Sequence, residues 1–144
     1  MGAAGDLAIY DSRFTDNANG LAVGNGSAYV YARNTSFDHN SNAGLYAPDG
    51  VGTASDSSAH FNGTGFDATG GALVLRGDRS AMNSMGIAAA GASAVARFDA
   101  CSVALNTLYS YNATSGGTAA GTSPGSTIMR GAGNGSLAGA TVLK

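Results

Sequence analysis

The sequence is poor in several residue types that most soluble domains use freely. It has no Trp, no Glu, one Cys and one Lys among 144 residues, and charged residues make up only 11%, against about 25% in an ordinary domain. Because Glu and Lys usually cover exposed helix surfaces, a mostly helical fold is not expected. A single cysteine excludes an intrachain disulfide framework and a cysteine-based zinc site.

Charge and hydrophobic runs exclude further classes of protein. The net charge of −2 offers no basic surface to nucleic acid. No apolar run approaches the roughly 18 residues that a membrane-spanning helix needs, so no membrane insertion is expected. The N-terminus lacks the basic and apolar regions of a signal peptide. At 44% hydrophobic residues the chain is nevertheless too apolar for a disordered linker, and its length suits one domain.

A short phrase that ends in Asn recurs five times along the chain. The first copy reads Phe14-Thr15-Asp16-Asn17 and the second reads Phe37-Asp38-His39-Asn40. The repeated asparagines are 23, 22, 21 and 23 residues apart and are Asn17, Asn40, Asn62, Asn83 and Asn106. Two further phrases follow in constant order, a Gly-apolar pair such as Gly65-Phe66 and a turn before a β-type run such as Ala72-Leu73-Val74-Leu75. Such recurrence predicts a repeat architecture.

Each repeat has room for two or three short strands and no helix. About 22 residues, broken by Gly, Asn or Ser every six to eight positions, are too few for a strand–helix unit. They suit one coil of a parallel β-helix, whose strands pair with their counterparts about 4.8 Å away along the axis. The chain is therefore predicted to be an all-β parallel β-helix of five to six short coils of 21–23 residues.

The coil frame predicts three rows of equivalent residues. The first is an inward apolar stack that consists of Leu21, Leu45, Phe66, Ile87 and Leu108. The second is a thinner inward stack that consists of Phe14, Phe37, Ala59, Ser80 and Val103. The third, the asparagine ladder, is formed by Asn17, Asn40, Asn62, Asn83 and Asn106. The asparagine ladder is predicted to lie at a tight bend of the chain, where each side-chain amide can bond to the backbone or to the amides in the coils above and below it.

The repeat divides the chain into three segments. Residues 1–7 precede the first coil and are expected to be flexible, and residues 8–112 hold the coils. In residues 113–144 the turns lengthen, as at Ser115-Gly116-Gly117. This last segment is predicted to be an irregular last coil, a cap or an oligomerisation element.

The repeats resemble the right-handed parallel β-helix repeats of the pectate-lyase-like superfamily, above all the Ala/Gly/Ser-rich repeats of bacteriophage and prophage tail spikes and tail fibres. The run from Asn62 to Ala72, NGTGFDATGGA, carries the clearest likeness, and the likeness covers about residues 8 to 120. It implies a right-handed coil, a homotrimer, and a location in a virion tail or outside the cell. Because this fold hosts enzymes and inert spacers alike, the likeness is more informative about fold than about activity.

The resemblance implies a non-enzymatic structural or receptor-binding module that contacts host surface polysaccharide. The predicted outer face is rich in Ala, Gly and Ser and low in charge, which agrees with packing against sister chains. The alternative is a carbohydrate-active enzyme of the pectate-lyase-like type, a polysaccharide lyase or hydrolase, and a passive adhesin or spacer is a third reading. Enzymes of this fold usually have more coils and long loops around a substrate cleft, so the non-enzymatic reading is preferred.

Enzymes of this fold use clustered carboxylates, with Arg or Lys, on one exposed strand face. The catalytic candidates are Asp56, Asp78 and Arg76, and Asp11 and Asp99 fall near them in the coil frame. Ion pairs between coils on a solvated face are the competing explanation, and it carries more weight. No pair of acids stands out with the separation that a glycosidase needs.

Two tyrosines and two arginines are the ligand-binding candidates. Tyr46 and Tyr109 are predicted to share one outward row, where their rings would be offered to sugars. Arg33 and Arg97 lie at or near equivalent positions after the outward β-run.

Metal and thiol chemistry receive little support from the sequence. His39 and His60 lack a third ligand with clear spacing, so no metal ion and no cofactor is expected. Cys101 lies near an inward position without a histidine in phase, and it is expected to be a buried, inert thiol.

Overall fold

The computed structural model describes residues 5–24 and 26–121 in full, together with the backbone of residues 127–129 and 141–143. Every regular element within these residues is a β-strand. In chain order the strands are β1 (Asp6–Tyr10), β2 (Arg13–Thr15), β3 (Asn19–Ala22), β4 (Tyr29–Arg33), β5 (Ser36–Asp38), β6 (Ala43–Ala47), β7 (Val51–Ser55), β8 (Ser58–His60), β9 (Thr64–Ala68), β10 (Ala72–Arg76), β11 (Arg79–Ala81), β12 (Met85–Ala90), β13 (Val95–Asp99), β14 (Ser102–Ala104), β15 (Tyr109–Thr114), β16 (Thr118–Gly121), β17 (Thr127–Met129) and β18 (Thr141–Leu143).

The strands form three parallel sheets that share one axis. Sheet A has the order β1-β4-β7-β10-β13-β16, sheet B has β18-β17-β14-β11-β8-β5-β2, and sheet C has β15-β12-β9-β6-β3. Each strand pairs with its counterpart one coil away, as Phe14 with Phe37 in sheet B and Leu45 with Phe66 in sheet C. The predicted parallel β-solenoid of about five turns is confirmed. Its right-handed sense stays a prediction.

Alternate residues of each short strand face the interior and build continuous rows. The register of sheet B confirms the thinner predicted stack of Phe14, Phe37, Ala59, Ser80 and Val103. The Phe14 and Phe37 rings are stacked with their centroids 5.6 Å apart, and Phe37 meets Phe66 of sheet C edge-on at 6.4 Å. The phenylalanine rings of the two rows therefore pack against each other and fill the core between sheets B and C.

Sheet C confirms four of the five members of the main apolar stack, which are Leu21, Leu45, Phe66 and Ile87. The fifth position is held by Tyr111, which pairs with Ile87. Leu108 was predicted there, but its side chain is 62% exposed, so this prediction is wrong. The reason is that the fifth coil lacks the Gly that precedes the inward residue in the other four and has Ser110 before Tyr111 instead. Leu108 follows Asn106 by only two positions, whereas the inward residues follow their asparagines by four or five.

Sheet A covers the remaining side of the core. The β-type run predicted at Ala72-Leu73-Val74-Leu75 falls on its strand β10. Leu73 and Leu75 of β10 are buried, and the residue paired with Leu73 one coil earlier is Gly52. A Cβ atom at Gly52 would lie 2.8 Å from a methyl group of Leu73. A small residue in one coil thus makes room for a large one in the next.

The asparagine ladder is confirmed as a chain of hydrogen bonds at the corner between sheets B and C. The main-chain N–H of each ladder residue donates to the side-chain oxygen of the next, over 2.8–3.1 Å. The amide nitrogens donate to main-chain carbonyls, as from Asn62 to Phe37 at 2.9 Å and from Asn83 to Ala59 at 3.0 Å. The ladder therefore satisfies main-chain groups where strand pairing stops.

Regular pairing extends past both ends of the predicted coil region. Strand β1 begins at Asp6, and β16 pairs with β13 in sheet A. Strands β17 and β18 add to sheet B. Residues 1–4 and most of residues 122–144 lie outside the described residues, so the division into three segments stays a prediction.

Candidate functional site

In each of the first five coils, from β1 to β14, the chain passes from sheet A to sheet B through a two-residue corner. The first corner residue has a left-handed backbone, with φ between 48° and 68°, and is in turn Asp11, Asn34, Asp56, Gly77 and Ala100. Asp, Asn and Gly adopt this conformation with the least steric cost. All five are exposed, so the corner presents polar groups to solvent in its first three coils.

The second corner residue has a side chain that bonds to the main chain, and this corner row consists of Ser12, Thr35, Ser57, Asp78 and Cys101. The Thr35 N–H donates to Ser57 Oγ over 3.1 Å, and the Ser57 N–H donates to Asp78 Oδ1 over 2.7 Å. The Thr35 hydroxyl donates in turn to the carbonyl of Arg33 over 3.0 Å. The corner row is a second ladder, which sequence analysis did not identify.

Asp78, a catalytic candidate, is a buried member of this row, with only 2% of its surface exposed. Its Oδ1 accepts the Ser57 N–H, and its Oδ2 accepts the Arg76 N–H over 2.9 Å. The pKa of Asp78 is raised to about 7, chiefly because the carboxyl group is buried. The two hydrogen bonds from the main chain lower this pKa, and the nearby charge of Asp56 raises it. The carboxylate is therefore placed to bond the main chain, away from any polymer on the surface.

Cys101 continues the corner row after Asp78 and is buried, as expected. Its thiol donates to the carbonyl of Asp99 over 3.3 Å. Burial raises the pKa of the Cys101 thiol to about 12, so the thiol stays protonated at neutral pH.

The other two catalytic candidates are exposed and belong to separate ion pairs. Arg76 Nε lies 3.9 Å from Asp99 Oδ2, and Asp56 Oδ2 lies 3.8 Å from Arg33 Nε. Each pair joins neighbouring coils across the edge of sheet A. This is the arrangement expected of a solvated face with ion pairs between coils.

A cleft of about 290 Å³ opens at this corner over the first three coils, and the residues that line this corner cleft are Tyr10, Asp11, Arg33, Asn34 and Asp56. Asn34 Nδ2 donates to Asp11 Oδ1 over 2.6 Å, and the Arg33–Asp56 ion pair closes the other side. Hydrogen bonding between coils thus orients four polar side chains at one place on the surface.

Tyrosine rings extend the corner cleft onto the outer face of sheet A. The exposed ring of Tyr10 meets Tyr31 edge-on, with centroids 6.0 Å apart. The Tyr31 hydroxyl lies 3.0 Å from Ser55 Oγ, which holds that ring in place. Sequence reasoning missed Tyr10. The available signal was its position, because it precedes Asp11 as Arg33 precedes Asn34 in the next coil.

The groups in the corner cleft are suited to binding a polyhydroxylated ligand. Arg33 has several N–H donors, Asp11 and Asp56 are acceptors, and Asn34 is both donor and acceptor. Tyr10 adds a flat apolar ring with a hydroxyl at its end. A sugar has neighbouring hydroxyl groups for the planar polar side chains and a C–H face for the ring.

Two ligand-binding candidates, Tyr46 and Tyr109, lie on sheet C, away from the corner cleft. They do not share a row, because Tyr46 pairs with Asp67 while Tyr109 pairs with Met85. The predicted common row is therefore wrong, because the fifth coil has no Gly before its inward residue and Asn112, three positions after Tyr109, holds the place equivalent to Tyr46.

The remaining candidates are dispersed over the surface. Arg97 lies on the outer face of sheet A and pairs with Val74, outside the cleft. The His39 ring stacks on Phe61 at 4.8 Å, and His60 Nδ1 lies 3.4 Å from Asp38 Oδ1. Within the described residues, no three His, Cys, Asp or Glu side chains gather as a metal ion would require.

Comparisons with known proteins add no family to this picture. No family model, curated protein or solved structure matches the chain. The geometry of the corner cleft and of the solenoid is therefore the evidence that bears on function. In the part of the chain that the structure describes, no helix is long and apolar enough to span a membrane.

Proposed function

We propose that this chain is a non-enzymatic structural and receptor-binding module of a phage or prophage tail spike or fibre, and that it contacts a cell-surface polysaccharide. The observation that carries the proposal is the corner cleft, where Asp11, Arg33, Asn34 and Asp56 converge beside the exposed ring of Tyr10. Oriented planar polar groups beside an aromatic ring complement the hydroxyl groups and the apolar face of a sugar.

The solenoid supports the mechanical part of this proposal. The first five coils pair with one another in all three sheets, so this part of the chain forms a continuous rod in which load passes along the strand ladders. The resemblance of the repeats implies that three such chains associate in a tail. Because of this resemblance, the proposed module is a homotrimer.

The enzymatic alternative draws less support from the same geometry. Asp78 is buried and bonded to the main chain, while Asp56 and Arg76 face Arg33 and Asp99. A polysaccharide lyase or hydrolase needs reacting groups that approach one glycosidic bond together. The three catalytic candidates do not meet at one exposed point.

The test is binding of the full chain to a panel of neutral and acidic bacterial surface polysaccharides, measured by calorimetry or biolayer interferometry. For a polysaccharide that binds, we expect Tyr10→Ala and Asp56→Asn each to raise Kd about tenfold, the equivalent of about 1.4 kcal/mol. The matched control is Asp49→Asn, which removes an exposed carboxylate at the corner between sheets C and A and is expected to leave Kd unchanged.

Two results would contradict the proposal. One is that no polysaccharide of the panel binds to the wild-type chain. The other is that Tyr10→Ala and Asp56→Asn bind as tightly as Asp49→Asn does, which would place the binding surface elsewhere. Release of new reducing or unsaturated sugar ends by the wild type would instead favour the enzymatic alternative.

A further inference from the structure

The corner between sheets B and C also has a left-handed residue in each coil. Its φ angles lie between 56° and 60°, and the residues are Asp16, His39, Phe61, Met82 and Leu105. All five are exposed, and they directly precede the members of the asparagine ladder. One row of side chains therefore projects from this corner parallel to the solenoid axis.

The two corners share a backbone conformation and differ in composition. In four of its five coils, the corner between sheets A and B uses Asp, Asn or Gly at the left-handed position, and these residues tolerate it well; the fifth coil has Ala100. The second corner uses Phe61, Met82 and Leu105, whose bulk is unfavourable in this conformation and whose apolar surface is unfavourable in water. Strained residues that persist in a fold point to a function of their side chains.

The apolar and aromatic members of this row, with Leu108 three residues after Leu105, are here called the apolar corner: His39, Phe61, Met82, Leu105 and Leu108. The last four are 51%, 41%, 53% and 62% exposed, and the His39 ring extends the surface by stacking on Phe61. At about 200 Å² for a large side chain, the four exposed fractions amount to roughly 400 Å². An apolar surface of roughly this size is comparable to the largest patch on a typical monomer, and such patches are often functional.

We propose that the apolar corner is the surface at which three copies of this chain meet, with their axes parallel. The coils repeat every 4.8 Å or so along each copy, so the projecting side chains of parallel copies face one another coil by coil. Of the five left-handed residues, only Asp16 at one end is an acid, so the copies do not repel one another along most of the row.

The shape of the corner favours three copies over a pair. In a pair of copies, the convex corner of each would bury little area against its partner. In a trimer, three convex corners fill the space around a common axis. Because each copy in a trimer faces two neighbours, roughly 400 Å² of apolar surface per copy is about a quarter of the 1,600 Å² that two standard interfaces would take from it. The flanking rows of sheets B and C would contribute the remainder. The inference rests on the proposed trimeric module and names its contact surface.

The test compares the triple variant Phe61→Asn/Met82→Asn/Leu105→Asn with Ala100→Asn, in the full chain, by light scattering during size-exclusion chromatography at several concentrations. Asn is favourable at left-handed positions, so both proteins should fold, and circular dichroism and thermal unfolding check this. We expect a wild-type mass near three times 14.0 kDa. Ala100→Asn should keep that mass, and the triple variant should elute as a single chain.

A wild-type mass other than three chains would overturn the inference, and so would a triple variant that remains trimeric. Binding of a short oligosaccharide to the corner cleft, measured on the same samples, separates the two proposals. A trimer that depends on the apolar corner but binds no glycan would contradict the proposed receptor contact and leave this inference standing. Glycan binding by a wild-type monomer would do the reverse.

Discussion

Asp78 shows how one residue changes the electrostatics of an otherwise uncharged row. Ser12, Thr35 and Ser57 have a hydroxyl at the same position, which can accept an N–H and also donate to a carbonyl. A carboxylate can only accept when it is ionised. Burial of that charge opposes the gain from two main-chain hydrogen bonds, and the net result is a pKa of about 7 for Asp78.

This raised pKa predicts that stability falls as the pH rises from about 4 to 7. In that interval folded Asp78 keeps a proton that the unfolded chain, with an ordinary carboxyl pKa, has released. Folding therefore becomes less favourable by up to roughly 4 kcal/mol as the pH approaches 7, and the effect is constant above it. Asp78→Thr restores the hydroxyl found at Thr35, so it should be more stable than the wild type at pH 8 and lack this dependence.

Urea unfolding between pH 4.5 and 8 measures the effect. Asp49→Asn is the control, because it removes an exposed carboxylate and should keep the wild-type slope. Equal slopes for the wild type and Asp78→Thr would show that Asp78 is not the group responsible.

At the scale of the strand, the core depends on complementary sizes in neighbouring coils. Phe66 of β9 is fully buried and meets Phe37 edge-on. The residue before it is Gly65, where a Cβ atom would lie 2.2 Å from Ser80 Oγ. Strands β3, β6, β9 and β12 thus each place one large inward side chain directly after a glycine whose position admits no side chain. The fit between coils, more than strand length, stabilises these elements.

Truncation of Phe66 to Ala should therefore leave a cavity in the core. The surrounding strands are only three to six residues long and are held in register by the neighbouring coils, so they cannot move to fill it. We expect the free energy of unfolding to fall by about 3–5 kcal/mol. Val74→Ala is the matched control, because Val74 faces outward from sheet A and is partly exposed, and its cost should stay within about 0.5 kcal/mol. Chemical denaturation of both variants gives the comparison. Similar losses in the two would contradict the assignment of Phe66 to the core.

At the scale of the whole molecule, the solenoid is a stack of nearly equivalent coils that contact only their neighbours. The asparagine ladder marks the same position in each coil, so the chain can be shortened between two ladder residues without a change of register. A deletion of residues 40–61 joins His39 to Asn62 and removes one complete coil. Such repeat proteins lose stability roughly in proportion to the number of repeats removed.

The shortened chain should fold to an all-β protein that is about 1–3 kcal/mol less stable, the usual share of some 22 residues. Circular dichroism and urea unfolding check this result. A deletion of residues 40–50 is the mismatched control, because it joins the end of sheet B to a strand of sheet A and omits sheet C. It should not fold cooperatively. Failure of the whole-coil deletion to fold would show that the coils are not interchangeable.

Periodicity alone was enough to predict the parallel solenoid, with two or three short strands per coil, and the asparagine ladder. Each coil lies on a near copy of itself, so equivalent positions in sequence become neighbours in space. The same logic was wrong for Leu108 and Tyr109, because the fifth coil has Ser110 in place of the Gly that marks the inward residue, and Leu108 is not the apolar residue of that phrase. A pattern averaged over five repeats does not reveal which copy departs from it.

The candidate sites depended on side-chain direction, which the repeat frame does not contain. Asp56 and Asp78 lie close in that frame, yet their side chains point in opposite directions. Asp56 is the left-handed first residue of its corner and is exposed to solvent, whereas Asp78 is the second residue of the next corner and is buried. The corner cleft joins residues from three coils, and Tyr10 enters it from the first. Which side chains converge is set by the backbone turn at each corner and by packing between coils, and those exist only in the folded chain.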